Sequence, residues 1–344
     1  MPGAKYAFIS AYLKGEELRV ISLEHIDRIS RVSNIQEVPA AIRDTDIGSY
    51  LEELQVKTFN DLDRYLWSYL AQRISEIESF KLVPKDILKV SKAYVVKYDV
   101  LNIKAALQSI SKGKKAEMIP VGMICRSGYL DKLSQATSVD DIIEVLTQSK
   151  LEDYAPILQK YRGDGEIRSK PLIEAKLTNQ CYQNMLSVAK GIKDGSALSK
   201  VLGLTIDLTN LQIVTRSIIE GMGPEAAEYT IIGGYTIGEG AIKDLLSLKL
   251  TEIPPKLEGS LYQDIAKEIL SSYEATKSVT VVDEIVDKHK FRLAKEALSP
   301  IVLSPLVMAW YLILKEAEIR NLRLVVKAIY DGLPIEEIKR YLVL

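Results

Sequence analysis

The chain has 344 residues, 47% of them hydrophobic and 26% charged, with 45 basic against 46 acidic side chains and a net charge of −1. This is the make-up of an ordinary globular protein with ample length for a large core, and domain-size priors divide it into two or three units. No bulk field draws it to nucleic acid or to an anionic membrane, and its two cysteines, Cys125 and Cys181, are too few for a disulfide framework, so a reducing cytoplasm is the default.

The first residues, Met1-Pro-Gly-Ala-Lys-Tyr6, carry no apolar run of the kind that opens a signal peptide. Residues 5–21, with Tyr6, Ile9, Tyr12, Leu13 and Val20, are expected to form an opening helix. A helix start follows at 33–37, where Ser33 would cap and Glu37 would sit in the first turn. Similar segments recur at 133–146, with Ser138 ahead of Asp140, and in weaker form at 245–270. A long amphipathic helix is expected after each of them. Residues 61–79 place Leu62, Tyr65, Leu66, Tyr69, Leu70 and Ile74 on one stripe, and 173–190 and 283–298 occupy the same place further on. A second helix then follows each. Pro84 opens it in the first unit; in the third, Ser304 is read as the N-cap and Pro305 as the first helical residue, giving a helix of about 27 residues and about 40 Å.

Each second helix carries the same text. Asp99-Val-Leu-Asn102 leads to Gly113, Asp207-Leu-Thr-Asn210 to Gly221, and Glu318-Ile-Arg-Asn321 to Gly332, with eleven residues from Asn to Gly every time. The copies start 108 and 111 residues apart, a domain-sized repeat. Within them Ile103, Leu107 and Ile110, then Leu211, Val214 and Ile218, then Leu322, Val325 and Ile329 keep helical spacing. The Gly suits a helix C-terminus, where positive φ is required. The acid lies three residues before the Asn, so both side chains share a face. The Asn is read as a partly buried amide bonded to a neighbouring helix, in preference to a ligand site repeated three times.

Beyond each Gly the chain restarts. Met118-Ile-Pro120-Val-Gly122 and Ile231-Ile-Gly233-Gly234 are equivalent loops, and Gly128 and Gly240 follow Gly122 and Gly234 by the same six residues. Pro334, Glu336 and Glu337 begin a short last helix. Gly163-Asp164-Gly165 is the clearest surface loop. Residues 300–314 are too short an apolar run to span a bilayer and read as a buried helix. No alternating strand of any weight occurs; Val279 to Val282 is β-branched but opens a helical stripe. The expectation is an all-α protein of three similar helical subdomains, with units at 1–127 (an N-terminal helix plus the first repeat), 128–240 and 241–344.

Catalytic chemistry is hard to find. His25 and His289 are the only histidines, and His289 lies among Lys288, Lys290 and Arg292, a charged solvated face. No CxxC, HExxH or EF-hand spacing nominates a metal site. Gly233 to Gly240 lacks the Lys-Ser/Thr of a phosphate loop and follows no strand, so a turn explains it better. No catalytic residue, cofactor or small-molecule substrate is expected.

The three Asn stretches, the Ile-Pro-x-Gly loop and the capped segments together resemble the C subunit of archaeal A-type and bacterial V-type ATP synthases, a family similar to the d subunit of vacuolar proton pumps. The likeness covers nearly the whole chain. Arg320-Asn-Leu-Arg323, Tyr98-Asp-Val-Leu-Asn102-Ile-Lys104 and Met118-Ile-Pro120 carry it most specifically, while Val121 and Ile232 depart from the family's Ile-Pro-Gly-Gly loop. The resemblance implies a funnel of three pseudo-threefold subdomains, without catalysis or cofactor. It would sit peripherally on the cytoplasmic face of the membrane, on the rotor ring of proteolipids, with proteins of the central shaft in its socket. The positions two and six past each Asn are polar and share a face: Lys104 and Gln108, Gln212 and Arg216, Arg323 and Lys327. They are the candidate rotor interface, against the alternative of an outward solvated stripe. A helical scaffold for an unrelated protein is the competing function.

Overall fold

The computed structural model describes residues 3–113, 117–160 and 170–343, and among them every regular element is helical. Six long helices dominate: α1 (Phe59–Ser79), α2 (Lys85–Lys112), α3 (Lys170–Lys190), α4 (Gly195–Ile219), α5 (Thr280–Leu298) and α6 (Leu306–Asp331). They form three hairpins, α1–α2, α3–α4 and α5–α6, in which the second helix carries the repeated Asn. Helix α2 packs on α3, α3 on α4, α4 on α5, α5 on α6, and α6 back on α2, so five helices close a ring; α1 packs against α6.

Local chemistry sets the helix ends. Thr58 caps α1 and Asp61 returns the bond to the Thr58 backbone, and Ser138 with Asp141 builds the same box at helix Val139–Gln148. Gly113 and Gly332 take left-handed φ of 63° and 69° at the ends of α2 and α6, and Gly221 does so at 71° just past α4. The opening segment is shorter than expected. The α-helix runs Ala7–Glu16, between 3₁₀ turns at Ala4–Tyr6 and Glu17–Arg19, because the chain must bend to bring Ile21 back against α6. The cap at 33–37 is Asn34, whose Oδ1 accepts from Gln36 N–H; Ser33 instead donates its N–H to Glu37. Helix α6 is capped by Pro305 and has 26 residues, one position later than read, since Ser304 Oγ reaches Leu306 N–H only at 3.4 Å. Gly128 has φ of 79°, whereas Gly240 lies within helix Glu239–Leu246 and needs no such freedom, so the two are not equivalent. The Gly163–Gly165 loop lies outside the described residues.

The three hairpin turns are drawn together. Lys193 Nζ, in the α3–α4 turn, donates to the Leu303 carbonyl of the α5–α6 turn at 2.8 Å. The Leu303 N–H donates to Ser10 Oγ at 3.1 Å, and Lys14 Nζ donates to the Ser299 carbonyl at 2.7 Å. Phe8 packs edge-on against Phe80 of the α1–α2 turn at 5.6 Å, and Tyr6 O–H donates to Asp86 at 2.7 Å. Helix Ala7–Glu16 thus binds the α1–α2 and α5–α6 turns, and Lys193 ties the α3–α4 turn to the latter, at one end of the ring.

Candidate functional site

The repeated Asn is a clamp on the backbone, not a link to a neighbouring helix. Asn102 Nδ2 donates to the Ile119 carbonyl at 2.9 Å and its Oδ1 accepts the Ile119 N–H at 2.8 Å. Asn210 grips Ile231 in the same two-bond way, at 2.8 Å both times, and Asn321 grips Val343 at 2.7 and 2.9 Å. All three amides are buried, so each must find partners, and one loop residue offers both a donor and an acceptor.

The acid one turn earlier holds the next part of the loop. Asp99 accepts the N–H groups of Met123 and Ile124, at 2.7 and 2.9 Å. Asp207 accepts those of Thr236 and Ile237, at 2.8 and 3.2 Å, and the Tyr262 O–H at 2.6 Å. Gly122 and Gly234 are required here, since a Cβ on either would overlap the carboxylate. The Gly-rich 233–240 segment therefore wraps a protein carboxylate, which disfavours phosphate. Burial pushes the Asp99 carboxyl up to about 7, although the two N–H groups favour its anion.

The third acid behaves differently. Glu318 accepts the Ile21 N–H at 2.7 Å, from the far end of the chain, and pairs with the fully buried Lys315 at 3.0 Å. Asp46 lies 3.8 Å from Lys315 and 2.9 Å from Arg19. Burial raises the Glu318 carboxyl, opposed by Lys315.

Inside the ring lies a cavity of about 430 Å³, within the size range of binding pockets. Its wall repeats in one register. Counting back from each Asn, position −12 supplies Val90, Leu198 and Ala309; position −8 supplies Tyr94, Leu202 and Ile313; position −5 supplies Lys97, Thr205 and Glu316. Position −1 adds Leu101 and Arg320. The stripe runs over twelve residues from Val90 to Leu101, about 16 Å of helix. Its deep levels, toward the hairpin turns, are apolar and its outer levels are charged. Glu316 pairs with Lys97 and accepts from Tyr94 O–H, which ties α6 to α2. Arg320 meets Asp287 at 3.1 Å. Burial lowers the ammonium groups of Lys104 and Lys290 and pushes the Cys181 thiol up to about 11.

Of the six candidate interface residues, Lys104 lines this cavity, donating to Thr178 Oγ1 at 2.7 Å. Gln212 and Arg216 both reach Asp283 of α5, at 2.6 and 2.7 Å, and Arg323 pairs with Asp63 of α1 while stacking on Trp67. Lys327 pairs with Asp331 along its own helix at 2.8 Å, and Gln108 is exposed. Position +2 thus meets the hairpin helices α3, α5 and α1 in the three copies. The wall residues Tyr94, Lys97 and Glu316 lie upstream of the Asn, outside the registers where the candidates were sought. Extending the same register comparison upstream would have found them.

His25 lies 3.2 Å from Asp44 and His289 2.8 Å from Glu268, as members of ion-pair clusters. Among the described residues no group of three His, Cys, Asp or Glu could hold a metal ion, and no helix is long and apolar enough to cross a membrane.

Known proteins are similar to this chain over nearly its whole length. The chain is similar to the A-type ATP synthase C subunit of Methanocaldococcus jannaschii, with 26% identity covering 99% of this chain and 86% of that one. It is similar to the proteins of that name from Pyrococcus abyssi, at 24% identity over 97% and 89% of the two chains, and from Methanothermobacter thermautotrophicus, at 25% over 98% and 87%. The model of the ATP synthase (C/AC39) subunit family matches residues 9–341. The chain belongs to the ATP synthase (C/AC39) subunit family.

Proposed function

We propose that this chain is a non-catalytic subunit of the central stalk of an A-type ATP synthase, joining the membrane proteolipid ring to the central shaft. In this reading the cavity is the socket that receives the tip of the shaft, and the protein is held peripherally at the cytoplasmic face of the membrane by its partners. The units 128–240 and 241–344 would each contribute a hairpin to the socket wall and 1–127 its helix α2, a pseudo-threefold funnel. One observation carries the reading: positions −12, −8 and −5 from three separate Asn residues line the same recess. A coupling that transmits torque needs stiffness, and the clamps supply it by tying each repeated helix to distant backbone through buried bonds.

The test is co-purification. Tagged chain expressed in cells that assemble the synthase should sediment with membranes and bring down proteolipid and shaft proteins, and gentle stripping should release it with the catalytic head. Recovery of the chain free of both sets of proteins would overturn the reading.

A further inference from the structure

The charges on the socket wall do not balance. Four cations, Lys97, Lys104, Lys290 and Arg320, face two carboxylates, Glu316 and Asp287. Lys97 takes Glu316 and Arg320 takes Asp287. Lys104 is left with a hydroxyl, Thr178, and the nearby Glu174 carries its own pair with Lys170 at 3.8 Å. Lys290 is left with the Gln212 amide at 3.3 Å and with Asp287 at 3.9 Å, already engaged by Arg320. Both ammonium groups stand beside apolar wall, where an uncompensated charge is costly. That cost is visible in the lowered proton affinity of both. The surplus lies in the outer half of the recess, beyond the level of Val90, Leu198 and Ala309. Leu101, on the same wall, is half-exposed.

We propose that Lys104 and Lys290 select the occupant of the socket: a helical tip whose end is apolar and whose next turn carries carboxylates. The apolar end would fill the levels of Val90 and Leu202, and an acidic side chain would meet each of these two under-compensated ammonium groups. The volume suits about one turn of helix with its side chains, and complementary charge would set register and speed encounter. The inference rests on the reading of the cavity as the shaft's socket.

The experiment measures binding of purified shaft proteins of the same synthase to full-length chain, by calorimetry at two salt concentrations. Lys104→Gln with Lys290→Gln should weaken binding about 10- to 30-fold and flatten its salt dependence, while Lys104→Arg with Lys290→Arg should keep both. Leu101→Asp, which adds a like charge against an acidic tip at a half-exposed site, should weaken binding without loss of helix by circular dichroism. If the glutamine variant binds with wild-type affinity and salt dependence while Leu101→Asp does not, the inference fails and the socket reading stands. If Leu101→Asp also binds as wild type, the socket reading fails with it. Competition by millimolar inorganic phosphate, with no effect of the glutamine variant on the shaft, would assign the cations to a small anion and overturn the proposal.

Discussion

Two of the three clamps hold a loop that their own helix leads into, and the third holds two ends of the chain. Asn102 reaches Ile119 and Asp99 reaches Met123; Asn210 reaches Ile231 and Asp207 reaches Thr236. Asn321 reaches Val343, but Glu318 reaches Ile21, 322 residues earlier than Val343. The opening segment thus occupies the place that a continuing loop fills elsewhere. Its apolar side chains, from Tyr6 to Val56, share one core with α6. The comparison teaches what replaces a covalent connection. Where the loop is continuous, backbone N–H groups and one tyrosine suffice. In the third clamp, where Ile21 and Val343 belong to separate segments, the fold adds charge: buried Lys315 between Glu318 and Asp46, the half-exposed Arg19 on Asp46, and the solvent-facing pair of Lys339 with Asp27 at 2.8 Å.

The largest effect should come from removing that charge. Lys315→Met leaves Glu318 and Asp46 buried without their cation and should cost about 3–5 kcal/mol in urea unfolding. The double variant Lys315→Met with Glu318→Gln should recover part of the loss, since the two are coupled. Next comes a pH effect at the first clamp. The folded Asp99 value of about 7 lies above the ordinary 3.8. The native state therefore keeps a proton that the unfolded chain gives up, and the stability this confers is complete below about pH 4 and lost as pH rises through 7. Asp99→Asn should remove that decline, at most about 4 kcal/mol across the window, in unfolding free energies measured from pH 4 to 8.

The Asn residues give a smaller and more discriminating contrast. Asn210→Ala strands a donor and an acceptor inside a continuous loop and should cost about 2–3 kcal/mol. Asn321→Ala makes the same vacancy at Val343, beyond the last described helix, Ile335–Lys339, in a short segment that can open locally. It should cost about 1 kcal/mol or less globally, yet abolish amide-exchange protection at Val343. Equal global losses would erase the distinction between the clamps. Smallest of all is Arg216→Gln. Arg216 and Asp283 are both more than a third exposed, so the change should be below about 1 kcal/mol in thermal unfolding.

Much of this was legible in the chain text. The repeated Asp/Glu-x-x-Asn helix, its terminal glycine and the helical class all follow from spacing and from what a left-handed position demands. The partner of the Asn was not legible. Its two bonds go to main-chain groups of Ile119, Ile231 and Val343, and any residue offers those, so no sequence signal marks them. The Glu318–Ile21 bond joins opposite ends of the chain, a separation no periodicity reports. The wall of the recess was legible in principle at −12, −8 and −5. Its residues, Lys97, Thr205 and Glu316 among them, differ in chemistry from copy to copy, so they repeat in place but not in type.

The central claim, that the recess inside the helix ring receives the shaft, is tested most directly by photo-crosslinking in the assembled synthase. A benzoylphenylalanine placed at Leu101, on the recess wall, should join the chain to a shaft protein, and one placed at Leu82, in the exposed α1–α2 turn, should not. Shaft crosslinks from Leu82 with none from Leu101 would contradict the account.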